Sequence, residues 1–215
     1  MRRRSFLALT GAAAGSGVLG AEAAVPVSRP PRDPARLVAR NRDRSSVIAQ
    51  RGMVCASQPL AALVGVDVLK AGGTCVDAAI ATNAALGLME PASCGIGGDL
   101  FAILWIERDR KLYGLNASGR APAAWTLEKA QGLGLTRIPR QSPLSWSVPG
   151  CVSGWQALSE RFGRLGLGRV LATSIEYARA GFPVSPIIAS HFTSWKDADA
   201  PHLAAVYHPG GRAPG

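Results

Sequence analysis

The stretch Glu90-Pro91-Ala92-Ser93-Cys94-Gly95-Ile96-Gly97-Gly98-Asp99-Leu100-Phe101 carries three glycines in four positions. Glycine is required where φ is positive or where a ligand or a second backbone approaches closely. A turn of this composition between two apolar segments marks the wall of a site. The chain offers that wall no recognisable activated nucleophile. Ser190, His191 and Asp197 lie close in sequence, but Ser190 and His191 are neighbours and aim poorly at one another on a helix. No nucleophile elbow supports them. Gly95 to Gly98 lacks both the Lys-Ser/Thr of a phosphate loop and the full dinucleotide fingerprint. Cys55, Cys75, Cys94 and Cys151 form no C-x-x-C pair, which argues against a zinc or redox dithiol site. Their small neighbours suit buried thiols, and disulfides stay open in an exported protein. No motif asks for a cofactor or a metal.

The net charge of +10 suggests a nucleic-acid binder until it is located. Residues 1–44 hold nine arginines against Glu22, Asp33 and Asp43, which leaves +4 for the rest. Arg3-Arg4-Ser5-Phe6-Leu7, an Ala/Gly-rich apolar run to Leu19 and Ala21-Glu22-Ala23 have the order of a twin-arginine export signal. The expected leader is 1–23, with the product periplasmic or extracellular and membrane contact only through the signal. The run is too short and glycine-rich to span a bilayer. Residues 24–49 read as a Pro/Arg-rich connector. No stacking-aromatic pattern accompanies the basic arm, so no nucleic-acid partner is expected. Residues 50–215 are long enough for one domain with a core.

The elements that must hold the glycine turn follow from periodicity. Gly52 to Ser57 is short and apolar, which suits a buried strand. Leu60, Leu63, Val64, Val66 and Leu69 have helical spacing, with Gly72-Gly73 as the stop. Thr74 caps a second helix, and Asp77 favours its positive end. That helix, Cys75 to Met89, is apolar almost all round and must be packed on several sides. Pro91 prevents its continuation. Leu100 to Ile106 predicts a buried strand, Glu107 to Lys111 a polar turn, and Leu112 to Leu115 the returning strand of a hairpin. Thr126 caps a short helix over 127–131, and residues 132–149 look irregular. Further helices are expected over 152–162, 169–180 and 186–195. Helices before and after a hairpin indicate an α/β (α+β) arrangement with strands layered between helices. Two or three strands cannot cover so apolar a helix, so the remaining sheet is expected from another polypeptide segment. The stop in Arg212-Ala213-Pro214-Gly215 reads as a severed domain.

Several blocks together resemble the gamma-glutamyltranspeptidase large subunit. Gly52-Met53-Val54 with Pro59-Leu60-Ala61 resembles its opening. Ala71-Gly72-Gly73-Thr74-Cys75-Val76-Asp77-Ala78-Ala79-Ile80-Ala81 is similar to its A-G-G-N-A-V-D-A-A-I-A block. Glu90-Pro91 through Gly95-Ile96-Gly97-Gly98-Asp99 resembles its E-P-x-S-S-G-I-G-G-D turn. Gly119-Arg120-Ala121-Pro122 and Ser147-Val148-Pro149-Gly150 with Gly154 continue in order. The resemblance implies an N-terminal-nucleophile hydrolase with αββα layers, incomplete in this chain, made as a self-cleaving precursor. A threonine freed at the start of the small subunit would attack a γ-glutamyl carbonyl, with its own α-amine as base. The acyl group would pass to water or to an amine.

No T-T-H cleavage block occurs in residues 1–215. By resemblance this is the front part of a large subunit, with no catalytic residue of its own. Its expected partners are the small-subunit segment and a γ-glutamyl or related acyl-amide substrate. The resemblance makes Gly95, Gly97, Gly98 and Asp99 the active-site wall. In the family an arginine in an R-E-x-A-P context pairs with the substrate α-carboxylate; here Ser118 and Gly119 stand in that motif, with Arg120 two positions later. Ser118 and Arg120 are therefore the candidate substrate-binding residues, and the S-G-R-A-P pattern resembles an acylase-like branch. A structural role for Arg120 stays open, as do a non-catalytic exported binding module and half of a split acylase-like hydrolase.

Overall fold

The computed structural model describes residues 6–8, 46–139, 142–194 and 201–212. The chain divides into two compact units. The first joins Met1–Leu9 to Gly52–Gly215, and the second is Thr10–Arg51. Of the second unit only residues 46–51 are described, without helix or strand. Most of the expected export signal and connector therefore lies outside the described residues, as do Trp195 and Asp197.

In the first unit, a strand β1 (Phe6–Ala8) is followed by helices α1 (Pro59–Lys70) and α2 (Cys75–Met89). A hairpin of β2 (Phe101–Ile106) and β3 (Lys111–Asn116) comes next. Helices α3 (Leu127–Gly132), α4 (Cys151–Phe162), α5 (Leu167–Val170), α6 (Ala172–Ala180), α7 (Pro186–Ser194) and α8 (Pro201–Tyr207) complete it. The described sheet runs β1-β3-β2, with both pairings antiparallel. Phe6–Ala8, assigned to the leader from sequence, pairs with the outer edge of β3 through Phe6↔Leu115 and Ala8↔Tyr113.

Helix α1 starts at the Gln58 cap, whose Oε1 accepts from the Leu60 N–H at 2.7 Å. Pro59 occupies the first turn, where its missing N–H is harmless. Gly72, at φ +86°, takes the left-handed turn after the last residues of the helix. The cap of α2 is reciprocal. The Asp77 N–H donates to Thr74 Oγ1 at 3.1 Å, and the Thr74 N–H donates to Asp77 Oδ2 at 2.8 Å. Asp77 is fully buried, and its Oδ2 also accepts from the Arg164 N–H at 2.9 Å. The Thr74 hydroxyl lies 3.1 Å from the Phe162 carbonyl. One capping group thus ties the start of α2 to the end of α4.

The packing on several sides expected for α2 holds, but among the described residues its cover comes from helices of this chain and not from further sheet. Helices α1, α4, α5 and α6 pack around it, and Val76, Ile80, Ala81, Ala85 and Met89 are at most 2 % exposed. Alanine on several faces lets neighbours approach. The inner face of the hairpin joins this core through Leu115, Ala102 and Leu104. Tyr113 stacks at a tilt on Phe162 at 5.0 Å, with the Arg161 guanidinium 4.8 Å above the Tyr113 ring.

Four expectations need correction. Residues 52–57 form no strand, because no described strand pairs with them; Met53 and Cys55 are exposed. Strand β2 is half-buried rather than buried: Phe101, Ile103 and Trp105 on its outer face are 66, 82 and 53 % exposed. The helix expected over 169–180 breaks into α5 and α6 at Leu171. The cysteines do not share one fate, since Cys55 and Cys75 are exposed, Cys94 is intermediate and only Cys151 is buried. Helix α8 was not foreseen, since Pro201 to Tyr207 is short and lacks a strong apolar period.

Candidate functional site

Three segments meet at the glycine turn: residues 94–99, the loop after β3 at 117–120, and the loop at 147–150 that leads into α4. Their union is mostly backbone. The Ala117 N–H donates to the Leu100 carbonyl at 2.8 Å and the Leu100 N–H returns to Ala117 at 3.3 Å, which extends the hairpin ladder to the turn. The Val148 N–H donates to the Arg120 carbonyl at 2.8 Å. The Gly98 carbonyl accepts from both Gly150 and Cys151 N–H groups, each at 3.0 Å. Those donors open α4, whose first amides have no partner within the helix.

Glycine is needed here for close approach. A Cβ on Gly119 would overlap the Val148 carbonyl oxygen, and one on Gly150 would overlap the Ala117 carbonyl oxygen. The two loops thus lie backbone against backbone.

Asp99 fastens the same crossing by its side chain. Its Oδ1 accepts from the Gly119 N–H at 2.6 Å and from the Ser147 hydroxyl at 3.1 Å. Both bonds are made to an ionised acceptor, which makes them stronger than neutral ones. Gly119 sits between Ser118 and Arg120, so one carboxylate sets the path of the whole Ser118–Arg120 loop. The Ser118 N–H donates to Asn116 Oδ1 at 2.9 Å, and its hydroxyl lies 3.4 Å from the Gly119 carbonyl. Arg120 is exposed, and its guanidinium makes no ion pair with any described carboxylate.

Beside the turn lies a cavity of about 360 Å³ lined by Asn83, Pro91, Ser93, Cys94, Gly95, Gly97, Gly98, Asp99 and Cys151. Asn83 projects into it from α2. Its Oδ1 accepts from the Trp155 indole N–H at 2.9 Å, and the Cys151 thiol lies 3.8 Å from the same oxygen. The electrostatics disfavour thiolate. Burial pushes the Cys94 thiol above its ordinary value, helped by Glu90. Cys151 is raised by burial first, then by Cys94 and Asp99.

The structure therefore brings Gly95, Gly97, Gly98 and Asp99 to one cavity and joins Ser118 and Arg120 to it through Gly119. Neither Ser118 nor Arg120 lines that cavity. Sequence reasoning missed Asn83, Ser147 and Cys151 as members of the cluster. Asn83 could have been found as a polar residue inside the apolar run of α2. Elsewhere, the Ser190 hydroxyl donates to the Ile187 carbonyl at 2.7 Å, so it is engaged within its own helix. Among the described residues no group of three His, Cys, Asp or Glu could hold a metal ion.

Comparison with known proteins fits this arrangement. The gamma-glutamyltranspeptidase family model matches residues 61–215. The glutathione hydrolase-like YwrD proenzyme of Bacillus subtilis is 34 % identical over 172 residues, which is 79 % of this chain and 32 % of that protein. The acylase ACY 1 proenzyme of Pseudomonas sp. strain SE83 is 33 % identical, again over 79 % of this chain and 32 % of its own length. Among solved structures, cephalosporin acylase from Bacillus halodurans superposes with a TM-score of 0.73 at 42 % identity. It is matched over 80 % of this chain and 33 % of its own. Helicobacter pylori gamma-glutamyltranspeptidase gives a TM-score of 0.70 at 26 % identity, over 79 % of this chain and 50 % of its own. The chain spans about a third of the length of the curated relatives named here. Its mixed helices and small sheet have the α+β architecture of N-terminal-nucleophile hydrolases. From the ordered blocks at 61–215 to the matched fold, the chain belongs to the gamma-glutamyltranspeptidase family.

Proposed function

We propose that this chain supplies the substrate-facing wall of an amide hydrolase or acyltransferase whose nucleophile is an N-terminal threonine. That threonine would come from a small-subunit segment of a longer precursor, and residues 1–215 alone would be inactive. The relatives named as proenzymes support such a precursor. The observation that carries the reading is the Asp99 clamp on Gly119. It holds the Ser118–Arg120 loop beside the glycine turn and leaves the Arg120 guanidinium exposed. An exposed guanidinium presents paired donors that suit a carboxylate. In this role Arg120 grips the α-carboxylate of a γ-glutamyl group, and the acyl-enzyme is released to water or to an amine.

A second reading has its own support. The loop reads S-G-R-A-P rather than R-E-x-A-P, and identity is higher to the cephalosporin acylase than to the Helicobacter pylori enzyme. It makes the substrate a different acyl amide, with Arg120 serving the loop instead.

The test compares the 215-residue chain with a precursor that joins it to the remaining large-subunit and small-subunit segments of a family member, assayed on a γ-glutamyl anilide and on a non-glutamyl acyl amide. The chain alone should release no chromophore, while the precursor cleaves itself and turns over. Arg120→Ala should raise KM for the γ-glutamyl substrate by about 10-fold or more, as loss of a hydrogen bond to a charged group predicts. Turnover by the chain alone would refute the division of labour. An unchanged γ-glutamyl KM, with turnover of the other amide, would favour the second reading.

A further inference from the structure

Cys94 and Cys151 come from distant parts of the sequence and line one cavity. Backbone bonds close the turn that follows Cys94 and tie it to the start of α4. The Gly98 N–H donates to the Gly95 carbonyl at 3.4 Å, and the Cys151 N–H donates to the Gly98 carbonyl at 3.0 Å. Cys151 sits at the fixed start of α4, with its thiol over Asn83. Cys94 sits at the start of the glycine turn, where Gly95 and Gly97 have open space beside them. The two thiols are near enough for Cys94 to raise the pKa of Cys151, and a disulfide between them requires a Cα separation of no more than about 7 Å. The thiols also differ in access: Cys94 is partly exposed, whereas Cys151 is 3 % exposed. The first can meet a reagent from solvent, and the second can reach only what is already bound. Cys55 and Cys75 are exposed and line no part of this cavity.

We propose that Cys94 and Cys151 form a dithiol modification site that a low-molecular-weight disulfide oxidises to a single internal disulfide. The Cys94 thiolate attacks one sulfur of the reagent, whose S–S bond breaks. One thiol leaves, taking up the proton that Cys94 lost, and Cys94 carries a mixed disulfide. The Cys151 thiolate then attacks the Cys94 sulfur and expels the second thiol, which takes up the proton from Cys151. Two protein thiols are oxidised, one disulfide is reduced to two thiols, and the electrons balance. The product bolts the glycine turn to the first residue of α4. Glu90 and Asp99 flank the pair, and both thiols have raised pKa values, so exchange is slow at neutral pH and faster in mild alkali.

The experiment incubates the folded 215-residue chain with oxidised glutathione in mild alkali, quenches it in acid, and maps the peptides by mass. The expected product is a linked pair of peptides containing Cys94 and Cys151, two hydrogens lighter than their reduced sum. In Cys151→Ser the glutathione adduct on Cys94 should persist about tenfold longer or more, because an intramolecular attack has been removed. In Cys94→Ser, Cys151 should stay reduced while Cys55 and Cys75 are labelled. Separate adducts on Cys94 and Cys151 in the unmutated chain would overturn the proposal. So would a bond from Cys94 to Cys55 or Cys75, or the same mixture of pairings in denaturant as in the native chain. The linked peptide is read without any variant, so a misfolded variant leaves the decision intact.

Discussion

Helix α2 and the outer face of β2 are equally apolar in sequence and opposite in fate. Around α2 the chain supplies α1, α4, α5 and α6, and Val76, Ile80 and Met89 lose almost all contact with solvent. On β2, Phe101, Ile103 and Trp105 stand in register opposite Asn116, Gly114 and Leu112 and point away from that core. The difference lies in what surrounds each element. A helix rich in alanine finds neighbours on several sides within residues 59–180. A strand has two faces, and the described residues cover one. Hydrophobicity therefore reports that a surface wants cover, and topology decides whether this segment provides it.

Three substitutions sharpen that contrast. Ile80→Ala, in the fully covered region, should cost about 2–5 kcal/mol by lost burial and a residual cavity. Chemical denaturation would read it, and a cost near zero would mean that the α2 environment is loose. Gly150→Ala, where the two loops cross by backbone, should cost about 1–3 kcal/mol as its Cβ forces the Ala117 carbonyl away. Native hydrogen exchange at Gly119 should rise with it, and unchanged protection there would show that the crossing yields easily. Ile103→Thr, on the open face, should change stability by no more than about 0.5 kcal/mol. A loss comparable to that of Ile80→Ala would show that the face is covered after all.

The same contrast governs what was legible in the sequence. Helix α2 was readable because its signals are local: Thr74 and Asp77 at its start, Pro91 just past its end. The hairpin is readable from two apolar runs and the polar turn between them, where Arg110 takes a left-handed backbone at φ +45°. Residues 52–57 were misread because a strand needs a partner, and apolar composition does not supply one. The break at Leu171 was invisible because apolar spacing continues across it. At the site, the glycines announced close contact, but not with which backbone. That Asp99 holds Gly119 and Ser147 depends on segments 20 and 48 residues away. No spacing rule joins them. Cysteine burial failed for a related reason, since small neighbours in sequence do not determine neighbours in space.

The loop from Ser118 to Arg120 is held by main-chain groups: the Gly119 N–H on Asp99 and the Arg120 carbonyl on Val148. Main-chain bonds are blind to side-chain identity at the flanking positions. The course of the loop is thus separable from the chemistry displayed on it. Position 119 is confined to glycine by the Val148 carbonyl, while 118 and 120 can exchange polar, charged or apolar groups on an unchanged track. A chain with such a mounting can change what it displays at 118 and 120 while the architecture beneath stays the same.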